Sequence, residues 1–146
     1  MNDEMKEALT RFDLSLMNIN KYISDMLQET GLKHMISREQ LEALIMIRSH
    51  RRLTINELAD LQDIFKTAAS KRIHKLEKMG LVQQAASDNK RIKLMEMTDE
   101  GIQFLEEVKE KMAWIVSECL KGHFSTEEIV QFVDKLQAIE QTLKQR

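Results

Sequence analysis

The chain has no proline and only four glycines in 146 residues, and aromatic side chains make up just 5% of it. Sandwiches and barrels need frequent turn residues and β-prone aromatics, so this profile disfavours them and favours long uninterrupted helices. The single cysteine, Cys119, excludes an internal disulfide, as expected of a reducing cytosol. No apolar run approaches the roughly 18–20 residues that span a bilayer. The opening Met1-Asn2-Asp3-Glu4 is acidic and lacks a signal-peptide core. A cytoplasmic chain without membrane attachment is therefore the expectation. What is present, 42% apolar and 32% charged residues, is the composition of a folded domain.

Charge is unevenly placed. Lys66, Lys71, Arg72, Lys75, Lys78, Lys90, Arg91 and Lys93 face only two acids in the same stretch, Glu77 and Asp88. The local balance is +6 in a chain of net charge −2, so the remainder carries −8. A cationic face on an otherwise acidic protein selects polyanions, and duplex DNA is the commonest that a helix and a hairpin can grip together.

Along the chain, Met5, Leu9, Phe12, Leu16, Ile19, Ile23 and Met26 alternate steps of four and three, a coiled-coil-like stripe on a first helix that Gly31 ends. Ser37-Arg38-Glu39-Gln40 reads as a capping box opening a second helix, with Leu41, Leu44, Ile45 and Ile47 on its apolar face. Arg51 and Arg52 close it, and Leu53 begins a very short strand. Thr54-Ile55-Asn56-Glu57 is another capping box, starting a third helix. After a turn at 62–65, a fourth helix spans about 66–79 and stops at Gly80. Residues 81–86 and 91–97 are strand candidates joined by Ser87-Asp88-Asn89-Lys90. Thr98 caps a fifth helix carrying Ile102, Leu105, Val108, Met112, Ile115 and Cys119 on one stripe, where Cys119 reads as a buried structural thiol. Ser125-Thr126-Glu127-Glu128 opens a last helix striped by Ile129, Phe132, Leu136, Ile139 and Leu143.

On a wheel at about 100° per residue, the fourth helix separates cleanly. Phe65, Ala69, Ile73 and Leu76 form a narrow apolar arc, and Lys66, Thr67, Ser70, Lys71, His74, Lys75 and Lys78 occupy the opposite half. A solvated lysine face is the bland explanation of such a pattern. The preceding short helix and the following basic hairpin argue against it. Together they make a helix-turn-helix with a wing, whose fourth helix fits a major groove roughly 12 Å wide.

That layout resembles the MarR family of bacterial transcription regulators. Leu53-Thr54-Ile55-Asn56-Glu57-Leu58-Ala59 is similar to the family's first helix of the reading motif, and Leu76-Glu77-Lys78-Met79-Gly80-Leu81-Val82 to its exit into the wing. Asn89-Lys90-Arg91 followed by Met97-Thr98-Asp99-Glu100-Gly101 is the most specific part. The resemblance implies a mainly α fold with a small two- to three-stranded β-wing, in one intertwined domain. Residues 1–32 would form an N-terminal dimerisation helix, 37–98 the winged helix-turn-helix, and 99–146 the C-terminal dimerisation helices. It implies a homodimeric repressor on a pseudo-palindromic operator, released by a small-molecule effector. Three features depart from the pattern. Asn89 replaces the usual Asp, which weakens any pairing with the wing arginine. Asp63 stands where glycine is frequent, and Phe65 replaces a common polar N-cap, leaving Asp63 as the candidate to take over part of the capping. The third is the absence of an N-terminal cysteine such as redox-responsive members use.

Thr67, Ser70 and Lys71 are the expected base-edge contacts. Lys66, Lys75 and Lys78 are expected on phosphates, His74 alongside them, and Lys90 and Arg91 in the wing. The four histidines are scattered, so neither a metal nor a cofactor is expected. No phosphate loop or nucleophile motif is present, and an enzyme is not expected. The ten methionines, among them Met17, Met35, Met46 and Met112, could line a pocket for a small apolar or aromatic effector, with dimer-core filler the favoured reading. Trp114 is expected to face either such a pocket or the dimer seam, with the seam the favoured reading. The alternative function is a winged-helix interaction module that binds an acidic protein surface.

Overall fold

The computed structural model describes residues 2–86, 89 and 91–146. It has six helices and three strands among them: α1 (Asp3–Gln28), α2 (Arg38–His50), β1 (Arg52–Thr54), α3 (Ile55–Gln62), α4 (Lys66–Lys78), β2 (Val82–Gln84), β3 (Leu94–Met97), α5 (Asp99–Leu120) and α6 (Thr126–Lys144). The chain divides into two units, residues 1–112 and 113–146. Fold class and element order follow the sequence reading.

Local chemistry explains where the helices start. At Ser37, Thr54 and Ser125 the hydroxyl accepts the N–H three residues on, and the Gln40, Glu57 or Glu128 side chain accepts the N–H of the cap in return. Accepting the Thr54 N–H at 3.0 Å holds the Glu57 carboxyl below the usual carboxylate range. A depressed carboxylate contributes stability above its unfolded pKa and loses it as pH falls through the lower folded value. Glu57→Gln should therefore flatten the fall in urea midpoint below about pH 4.3 by lowering the midpoint slightly at pH 7 while leaving the acid end nearly unchanged.

The first unit is built around Leu44, Ile47, Leu53, Leu58, Leu76, Leu81, Leu105 and Val108, all fully buried. Each such side chain contributes about 1.5–3 kcal/mol of transfer free energy. The sheet has order β1-β3-β2 and is antiparallel throughout, with Leu53 opposite Met95 and Gln83 opposite Glu96. The strands are shorter than expected because their ends spend hydrogen bonds elsewhere. Leu81 gives its N–H to the Leu76 carbonyl at the end of α4, while Arg91 and Ile92 are tied into the turn by Asn89.

Two burial expectations are corrected. On α2 the buried residues are Leu41, Ala43, Leu44 and Ile47, whereas Ile45 is exposed, because the covered arc centres on Leu44 and Ile47 and reaches Ala43 rather than Ile45. Cys119 is exposed, not a buried thiol: the buried residues of α5 are Gly101, Phe104, Leu105 and Val108, and the covered stretch ends there. Of α1, only Leu27 is buried, so most of its apolar stripe stands open within the chain. In the second unit α6 has no buried residue at all.

Candidate nucleic-acid interface

Helix α4 is held by its neighbours at both ends and along one face. Ala69, Ile73 and Leu76 are buried, and α4 packs against α3 there. Small Ala69 permits that close approach. Lys66, Thr67, Lys71, His74, Lys75 and Lys78 are exposed on the other side, with Ser70 half-buried at the edge. The cationic face foreseen on the wheel is a real surface.

At its C-terminus α4 ends in a Schellman motif. Gly80 gives its N–H to Glu77 at 2.9 Å, and Leu81 gives its own to Leu76 at 3.0 Å. Gly80 takes the left-handed conformation this requires, with φ +78°. Thr98 then joins the helix to the end of the wing. Its hydroxyl donates to the Gly80 carbonyl at 2.6 Å and accepts the Gly101 N–H at 2.9 Å, while its N–H reaches the Leu81 carbonyl at 3.1 Å. Glu100 lies beside this junction, paired with Lys33 at 3.4 Å and His34 at 3.6 Å. Hydrogen bonding from Lys33, then from His34, holds its carboxyl below the ordinary range.

The N-terminal end differs from expectation. Asp63 does not cap α4. It adopts the left-handed conformation (φ 54°, ψ 52°) as the C-cap of α3, the role a glycine fills more readily. Phe65 is the N-cap residue of α4 and supplies no side-chain hydrogen bond. Nor does it join the apolar arc: Phe65 is 86% exposed. Its extended backbone (φ −68°, ψ 149°) places it off the helical screw, so the wheel angle did not apply to it.

The fold brings Lys66 and Arg91 together. With Thr54, Ile55, Asn56, Ile92 and Lys93 they line an open cleft of about 430 Å³ between the start of α3, the start of α4 and the wing. Asn56 and Lys93 were not singled out from sequence as contact residues. The signal available was Asn56 two residues after a helix cap, and Lys93 two after the wing arginine. A second hollow, of about 300 Å³, places Lys71 and Lys75 beside Ser37 and Gln40 at the start of α2. Arg72 belongs to the body: its guanidinium donates to Gln62 Oε1 at 2.8 Å, and Gln62 Nε2 donates to the Glu39 carbonyl at 3.1 Å. In the wing, Asn89 Oδ1 accepts the Arg91 backbone N–H at 3.0 Å. Lys90, with Ser87 and Asp88 of the expected turn, lies outside the described residues. Among the described residues no group of three His, Cys, Asp or Glu is placed to hold a metal, and no helix is long and apolar enough to cross a membrane.

A helix-turn-helix followed by a two-stranded wing, with β3 also paired to β1 ahead of the motif, defines a winged-helix DNA-binding protein. The model of the MarR family matches residues 36–93. The chain is 29% identical over 147 residues to the HTH-type transcriptional regulator TcaR of Staphylococcus aureus (strain Newman), covering 99% of this chain and 96% of that one. It is 30% identical over 112 residues to the uncharacterized HTH-type transcriptional regulator YdgG of Bacillus subtilis (strain 168), covering 74% and 73% of the two chains. Among solved structures, Staphylococcus aureus MarR in complex with salicylate and kanamycin superposes with a TM-score of 0.76 at 21% identity, over 98% of this chain and 97% of that one. This chain belongs to the MarR family, and is a DNA-binding transcription regulator of that family.

Proposed function

We propose that the protein works as a cytoplasmic homodimeric repressor whose two α4 helices enter successive major grooves of a pseudo-palindromic operator. The observation that carries this reading is the exposed cationic face of α4, continued by Lys66 and Arg91 around one cleft at the base of the wing. In this reading Thr67, Ser70 and Lys71 meet base edges, and Lys66, Lys75, Lys78 and Arg91 hold phosphates, assisted by His74 and Lys90. Dimerisation is supported by the apolar residues each unit leaves uncovered: Leu9, Phe12 and Leu16 on α1, Phe132, Leu136 and Ile139 on α6. Residues 1–32 and 99–146 then serve the dimer and 37–98 the DNA. The two half-sites would lie about one helical turn, 10–10.5 bp, apart. Likeness to a protein solved with salicylate supports control by a small aromatic effector, which would shift the population away from the DNA-competent spacing.

Selecting bound DNA from a random pool, then measuring affinity across salt, tests the reading. About eight phosphate contacts per dimer predict a slope of log K against log salt near −7. Lys71→Ala should cost about 1–3 kcal/mol on the selected site and relax preference at one position per half-site. Equal losses on selected and random DNA would reduce Lys71 to a phosphate contact. Absence of DNA binding even at low salt would turn the reading over to a module for acidic protein surfaces.

A further inference from the structure

The exposed ring of Phe65 has no role in folding. At 86% exposure it adds nothing to the core, and at the N-cap it supplies none of the oxygen that a helix start draws from Ser, Thr, Asp or Asn. On stability alone the position favours a polar residue. Its surroundings are equally unlike a place for phenylalanine: Lys66 and Thr67 follow immediately, both exposed, and Lys66 shares its cleft with Arg91 and Lys93. A lone apolar ring at the leading end of a cationic helix is placed for a surface that is polyanionic yet locally apolar.

The major groove offers such a surface at one kind of site. In a helix-turn-helix the N-terminal residues of the reading helix approach the base edges. Apart from small C–H edges such as cytosine C5–H, the groups exposed there are hydrogen-bond donors or acceptors, and the C5-methyl of thymine is the one sizeable apolar group. A phenyl ring can exchange no hydrogen bond, so the methyl is the feature it distinguishes. We infer that Phe65 is a specificity-determining residue that packs on a thymine methyl in each half-site, an inference that rests on α4 being the helix that enters the groove. Burying one methyl against a ring is a modest, local gain. Its loss should weaken binding roughly threefold to tenfold per half-site, judged from the transfer free energy of one such group.

The test uses the full-length protein, the site selected by it from a random pool, and copies of that site in which each thymine in turn is replaced by deoxyuridine, which removes only the methyl. The wild type should lose affinity at one thymine per half-site. Phe65→Ala and Phe65→Ser should bind the thymine and deoxyuridine versions of that position equally well, with an unchanged salt slope, because no phosphate contact is removed. An unaltered far-ultraviolet circular dichroism spectrum establishes that both variants are folded. If the wild type responds to no thymine, or if the variants keep its response, the role of Phe65 is overturned while groove reading by α4 stands. If the wild type binds no selected site at all, both fall together.

Discussion

Gly101→Ala is expected to destabilise the protein by about 3 kcal/mol or more, as overpacking against a rigid neighbour does. The melting temperature should fall by roughly 10 °C. A methyl group on Gly101 would overlap the Leu81 carbonyl oxygen and stand 2.9 Å from its carbon. That obstacle is backbone, and Leu81 is already committed to the end of α4 through its N–H and to Thr98 through its carbonyl. No side chain can swing aside, so either α5 or the junction must shift. Gln103→Ala, an exposed change on the same helix, serves as the control and should lie within about 0.5 kcal/mol of wild type. Equal melting temperatures for Gly101→Ala and the control would show that the close approach of α5 to Leu81 is not tight in solution.

The second large effect concerns assembly. Phe12→Glu combined with Phe132→Glu places two charges on the stripes proposed to pair. Both rings are exposed within the chain, at 48% and 61%, so each protomer should keep its fold. Sedimentation should report half the wild-type mass. Operator affinity should drop by about 10²–10⁴, the advantage that a linked second site confers. Binding to random DNA should fall much less, since each cationic face survives. Retention of wild-type mass by the double variant would place the dimer contact elsewhere.

How much of this was legible beforehand depended on range. All three capping boxes were read correctly, because each is a bargain between residues three apart. The cationic face of α4 was legible for the same reason, since helical periodicity alone decides which lysines share a side. Errors arose where a neighbour or a turn intervened. Phe65 was assigned by wheel angle although it sits before the helix begins. Asp63 was weighed as a cap for the helix after it and instead closes the helix before it. Arg72 entered only the charge count, and the count stands, but nothing in the sequence signalled that its guanidinium is held by Gln62 ten residues back across that turn. Cys119 followed an apolar stripe whose period continues past the point where anything within the chain covers it. Sequence periodicity identifies a stripe but not its cover.

The junction at Gly80, Thr98 and Gly101 also bears on how a signal could travel. Because the foot of α4 is bonded to the first turn of α5 through Thr98, the proposed effector control would move the two helices as arms of one crank rather than as beads on a string. A thirteen-residue helix is about 20 Å long, so a tilt of about 10° at that elbow sweeps its leading end through about 3 Å. Such a sweep is comparable to a hydrogen bond's length, enough to unseat fingertips from a groove without melting a single turn.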